Sequence, residues 1–126
     1  SDSRGVGPMR LLDSNAVIFH LAGRIDVSIA RPDSLVSIVT GIEVLSFPGL
    51  GEAGQATARL FFQSVRAVNI DEHIKATTIQ LRKQHKLKLP DAIICATAMC
   101  LGAELVTSDE RLWSVAGLRC IRFSVK

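Results

Sequence analysis

Pro90-Asp91-Ala92-Ile93-Ile94-Cys95-Ala96-Thr97-Ala98-Met99-Cys100-Leu101-Gly102-Ala103-Glu104-Leu105-Val106-Thr107 holds the architecture in miniature. Residues 92–101 are apolar almost all round, which marks a helix buried on several sides. Pro90 stands where proline is tolerated, at the first helical position, and Gly102 where a helix ends. Residues 104–106 then read as a short strand. Working outward, further strands are expected at 9–12, 35–39, 67–70 and 120–123. Helices are expected at 15–22, 41–46, 51–66, 72–86, 90–101 and 109–115. The apolar positions Ala53, Ala56, Leu60, Phe61 and Val65 have helical spacing. Thr40-x-x-Glu43 and Thr107-x-x-Glu110 both have the capping-box pattern, each directly after a strand. Asp71 suits the N-cap of the helix that follows it. Alternating strands and helices predict an α/β fold: a parallel central sheet of about five strands, flanked by helices on both faces.

Composition bounds the rest. The 126 residues suit one domain, with no repeat, linker or low-complexity segment. Hydrophobic residues make up 48% and charged residues 21%, with a mean hydropathy of +0.29, which excludes a disordered tail. No apolar run approaches the roughly eighteen residues of a membrane span. Three widely spaced cysteines argue against a secreted disulfide framework and for a reducing cytoplasm. The net charge of +3 permits a polyanionic partner without demanding one. Residues 1–8 lack periodicity and read as an appended or disordered leader, with Met9 the natural start of a domain over 9–126.

Open α/β sheets carry their sites beyond the carboxyl ends of the strands. Four of the twelve acidic residues are expected there: Asp13, Glu43, Asp91 and Asp109. Each has an ordinary explanation. Glu43 completes the Thr40 capping box, Asp91 and Asp109 complement helix dipoles, and Asp13 begins an Asx-turn. All four at one edge are harder to explain singly, because converging carboxylates cannot all ionise cheaply without a cation. Oxygen donors with no histidine or cysteine cluster suit Mg²⁺ or Mn²⁺ rather than zinc.

Four segments in this order resemble the PIN-domain nucleases, especially the VapC-type toxins of toxin–antitoxin systems. They are Leu11-Leu12-Asp13-Ser14-Asn15, Ser37-Ile38-Val39-Thr40-Gly41-Ile42-Glu43, residues 87–98 around Pro90-Asp91-Ala92, and Leu105-Val106-Thr107-Ser108-Asp109-Glu110-Arg111-Leu112-Trp113. The likeness runs from Met9 to about Phe123. Val44 replaces the family's usual leucine and Trp113 its usual phenylalanine. The family's fourth acidic position is its most variable, which makes Asp109 the least secure ligand. The resemblance implies a PIN-like fold and a metal-dependent endoribonuclease giving 5′-phosphate and 3′-hydroxyl ends. One or two Mg²⁺ or Mn²⁺ ions would be held by Asp13, Glu43, Asp91 and Asp109, with Asn15 and Thr107 orienting ligands or water. It also implies an antitoxin that blocks the acidic pocket and a homodimeric partner copy. An antitoxin arginine would pair bidentately with such carboxylates.

Other residues attract plainer readings. His20, His73 and His85 are scattered, Cys95 and Cys100 suit core thiols, and Trp113 suits a packing anchor. Arg82, Lys83, Lys86 and Lys88 form the densest basic patch, either a solvated helix face or a track for RNA phosphates. Three rival functions stand against the toxin: an inactive PIN-like module binding RNA or protein, a PIN nuclease with a processing role, and a phosphatase with Asp13 as nucleophile. The phosphatase would want a second aspartate where Asn15 stands.

Overall fold

In the computed structural model, residues 8–26, 31 and 33–125 are described. Residues 1–7, most of the expected leader, lie outside them. Five strands, β1 (Arg10–Leu12), β2 (Leu35–Ser37), β3 (Arg66–Val68), β4 (Glu104–Thr107) and β5 (Cys120–Arg122), form one parallel sheet in the order β3-β2-β1-β4-β5. The helices are α1 (Ser14–Leu21), α2 (Ile38–Leu45), α3 (Gly51–Ser64), α4 (Glu72–Gln84), α5 (Leu89–Leu101) and α6 (Glu110–Trp113), and a 3₁₀ turn covers Pro48–Leu50. Each expected strand and helix is present; the 3₁₀ turn was not anticipated.

The alternation of side chains along the strands sorts the core into two layers. Leu11 pairs in register with Leu35 and Leu105, and all three pack with Ile74, Leu81, Ile94 and Ala98 of α4 and α5. Leu12 pairs with Val36 and Val106, and these pack with Val17, Val44 and Ala58 of α1, α2 and α3. A strand of period two thus feeds two helical layers at once. Each fully buried leucine contributes about 1.5–3 kcal/mol by leaving water. Residues Ala92 to Ala98 are all buried, as an all-round apolar helix requires. Gly102 closes α5 in the left-handed region at φ 64°, and Asp71 caps α4 by accepting the Ile74 N–H at 2.8 Å.

Several local expectations are corrected. Strand β2 stops at Ser37, whose hydroxyl accepts the Val39 N–H at 3.1 Å and starts α2 three residues earlier than the Thr40 pattern suggested. Thr40 is therefore a buried residue of the first turn, not a cap. Likewise Asp109, not Thr107, is the N-cap of α6; Thr107 ends β4, and its hydroxyl accepts the Asp109 N–H at 3.0 Å. Pro90 occupies the second helical position, after Leu89. In α3 the apolar spacing does mark a helix, but Ala58 faces the core while Leu60 is 68% exposed.

Candidate active site

Asp13 directly follows β1, Glu43 sits on α2 just after β2, Asp109 lies two residues beyond β4, and Asp91 is in the first turn of α5. Parallel strands place all these junctions along the carboxyl edge of the sheet. There Asp13, Ser14, Asn15, Glu43, Asp91, Ile94 and Asp109 line one cavity of about 110 Å³. The four carboxylates singled out in the sequence are brought together.

Local chemistry sets each one. Asp13 is 7% exposed and caps α1, accepting the Ala16 N–H at 2.8 Å. Burial lifts its carboxyl from 3.8 to about 6, against a lowering by the Thr107 hydroxyl and the Ala16 amide. Asp91 and Asp109 push it further up. Asp91 is raised mainly by burial and then by Asp109, while Arg111 and Lys88 pull it down. Glu43 accepts the Ser14 hydroxyl at 2.5 Å, and Ser14 also reaches the Thr40 hydroxyl at 3.4 Å. Asp109 stands apart. It caps α6, and the Arg111 guanidinium holds its carboxyl below the ordinary value.

Asp13, expected in an Asx-turn, and Asp109, expected as a first-turn acid, are both helix N-caps, and both line the cavity as well. The Glu43 capping-box reading is replaced by the Ser14 bond. Asp91, expected only to complement a helix dipole, also has Arg111 Nη2 3.6 Å from its Oδ2. Of the supporting pair, Asn15 lines the cavity, and Thr107 is fully buried with its hydroxyl shared between Asp13 and Asp109.

Ser14 and Arg111 are the site residues that sequence reasoning passed over. Ser14 adjoins Asp13, which was the available signal. Arg111 follows Asp109 by two, a spacing that does not bring side chains together within a helix. It works because Asp109 is an extended cap at ψ 106°, outside the helix.

The other residues singled out in the sequence do not line this cavity. His20 packs edge-on against Phe61, His73 is exposed, and His85 ends α4. Burial pushes the Cys95 thiol up to about 12, so it is no nucleophile. Trp113 donates its indole N–H to the Thr107 carbonyl at 3.2 Å and lies beneath Arg122. Arg82, Lys83, Lys86 and Lys88 are all exposed, and Lys88 caps α5 immediately beside Asp91.

Hard carboxylate oxygens that raise one another's proton affinity suit Mg²⁺ or Mn²⁺, and the Arg111 guanidinium already stands between Asp91 and Asp109 where positive charge is favoured. Among the described residues no three acids, histidines or cysteines lie close enough to grip an ion as they stand. The donor types fit such an ion.

A five-stranded parallel sheet with an acidic cleft at its carboxyl edge defines the class of PIN-like α/β domains. The PIN-domain model matches residues 10–118, and the chain belongs to that family, a family of nucleases. A chain of a toxin–antitoxin complex from Klebsiella pneumoniae is similar at 28% identity, with a TM-score of 0.72 over 86% of this chain and 94% of that one. Chains of VapBC2 from Rickettsia felis, bound to a promoter DNA fragment, and of DNA-bound VapBC from Salmonella typhimurium share the fold. Their identities are 14% and 18%, with TM-scores of 0.78 and 0.77. Each match covers 92% of this chain, and 99% and 98% of the respective relative. No curated protein sequence matches the chain. Among the described residues no helix is long and apolar enough to cross a membrane.

Proposed function

We propose that this chain is a Mg²⁺- or Mn²⁺-dependent endoribonuclease and the toxin half of a VapC-type toxin–antitoxin pair, acting in the cytoplasm. The observation that carries this reading is the meeting of Asp13, Glu43, Asp91 and Asp109 around one small cavity. A binding module for RNA gains nothing from four carboxylates gathered where phosphate must approach, because they repel it. The similarity to toxin–antitoxin complexes supports an antitoxin as partner. A second apolar cavity of about 440 Å³ along α2, lined by Ile38, Gly41, Ile42, Leu45 and Phe62, offers area to the antitoxin or to a second copy of the chain.

Asp13, Asp91 and Asp109, with Glu43, would hold the ion. Bound there, it supplies an activated water and neutralises charge developing on the phosphate. The chain supplies the rest. The Ala16 amide and the Thr107 hydroxyl fix Asp13 from behind. Ser14 donates to one carboxylate oxygen of Glu43 and fixes that group at the cavity. Ile94, one turn after Asp91, gives the cavity an apolar wall. Asn15, exposed at the rim, can turn its amide toward an incoming water or phosphate.

Incubation with total RNA and Mn²⁺ is expected to yield fragments bearing 5′-phosphates, and a chelator to stop their formation. RNA retained but left intact under both conditions would instead establish a binding module.

The basic patch leads to a second measurement. Lys88 caps the helix that carries Asp91, and Lys86 lies two residues before it. If both touch phosphate, neutralising them reduces the log–log salt slope of single-stranded RNA binding by roughly 1.4. An unchanged slope returns Lys86 and Lys88 to a solvated face.

A further inference from the structure

Arg111 is itself a cation, and it pairs with two acids of a site that favours one. Its side chain is 62% exposed, yet it turns back onto Asp109 with Nε 3.1 Å from Oδ1 and Nη2 2.6 Å from Oδ2. The same Nη2 lies 3.6 Å from Asp91 Oδ2. One guanidinium therefore serves two of the four carboxylates that face the cavity. Lys88 also lowers the cost of charge on Asp91, but among the described residues it makes no ion pair with it. The other two carboxylates are held from elsewhere, Asp13 by Ala16 and Thr107 and Glu43 by Ser14. The acids thus fall into two pairs: one pinned by neutral donors, the other by an exposed positive charge.

We propose that Arg111 is a built-in counter-ion of the carboxylate site, which an incoming divalent cation must displace from Asp91 and Asp109. The inference rests on the metal reading above. A two-pronged guanidinium–carboxylate pair is geometrically specific, but an exposed one is weak in net terms because water and salt compete for both partners. The fork is thus strong enough to set a resting state and weak enough to open. While it remains closed, it ties up both Asp109 oxygens and leaves a positive charge facing the position of the ion. Both effects lower metal affinity. Once released, the planar fork is suited to a phosphate, which lysine at the same place would match less well.

Manganese binding by calorimetry, at low and at high salt, tests this on wild type, Arg111→Gln and Arg111→Lys. Arg111→Gln is expected to bind Mn²⁺ roughly tenfold more tightly at low salt. That is the repulsion removed when a unit charge stands about 6 Å from a dication in a solvated site. The difference should close near 1 M salt, where screening shortens to about 3 Å. Arg111→Lys keeps the charge and should stay within about twofold of wild type. Equal or weaker binding by Arg111→Gln would overturn the counter-ion proposal and leave the metal site standing, with Arg111 as an orienting group for Asp109. No Mn²⁺ binding by any of the three would overturn the metal reading and this inference together. Binding by Arg111→Gln alone would support both.

Discussion

Asp91→Asn is expected to lower RNA cleavage in Mn²⁺ by more than about a hundredfold while leaving the protein folded. Loss of a residue that merely orients a metal ligand already costs about 10–100-fold, so loss of a ligand's charge should exceed that. The structure supplies the reason for expecting an intact fold. Asp91 lies in the first turn of α5 and makes no capping bond; its only ion-pair partner among the described residues is Arg111, which retains Asp109. Burial and the neighbouring Asp109 both raise the cost of ionising Asp91, so the metal-free fold is not relying on its charge. Asparagine has the same shape. Cleavage of total RNA, read beside the thermal unfolding of the same preparation, separates a chemical loss from a folding loss. Turnover near that of wild type by a well-folded Asp91→Asn protein would remove Asp91 from the metal site and weaken the nuclease reading with it.

The legible part of this molecule was the part governed by burial. Leu11 and Leu12, Leu35 and Val36, and Leu105 and Val106 form adjacent apolar pairs because each strand is covered on both faces, and both packed layers follow from that. The meeting of the four carboxylates was legible for the same reason: charges are costly beside such segments, so an acid at a strand end stands out in the sequence. What stayed hidden depended on hydrogen bonds between residues that sequence spacing does not link. Ser37 ends a three-residue strand in a fully buried position, where a small hydroxyl can cap the next helix. Thr40 has the textual pattern of a capping box, but by that point the helix is already running. Thr107 is in the same position at β4: its hydroxyl serves Asp109 and Asp13 and not its own helix end. In α3, alanines at 53 and 56 can lie on either face at little cost, so the helix phase was undetermined by the apolar pattern alone. Ser14 to Glu43 spans distant elements, and only the fold brings them together.

Asp13→Asn is expected to stabilise the metal-free protein above pH 7, by an amount that vanishes in acid. Burial raises the folded-state carboxyl to about 6 from 3.8, so the folded protein holds the Asp13 proton more firmly than the unfolded chain does. The associated stability is fully present below about pH 4 and is lost as pH rises through about 6. At neutral pH the ionised Asp13 therefore costs about 3 kcal/mol, as an upper order of magnitude. Asparagine removes that charge. Its carbonyl oxygen can still accept the Ala16 N–H, and asparagine caps a helix as well as aspartate does. A residue that served only as a cap would behave in the opposite sense: removing a negative charge from a helix N-terminus costs about 0.3–1 kcal/mol. Asp109→Asn is expected to follow that second pattern, losing a little stability, because Arg111 holds Asp109 ionised. Manganese should close most of the gap between wild type and Asp13→Asn, since a ligand at a hundred times its dissociation constant adds about 2.7 kcal/mol to a protein that binds it. Thermal unfolding of wild type, Asp13→Asn and Asp109→Asn at pH 5 and pH 8, with chelator and with millimolar Mn²⁺, gives all of these comparisons. An Asp13→Asn protein less stable than wild type at pH 8, beside a wild type indifferent to Mn²⁺, would reduce Asp13 to the cap of α1.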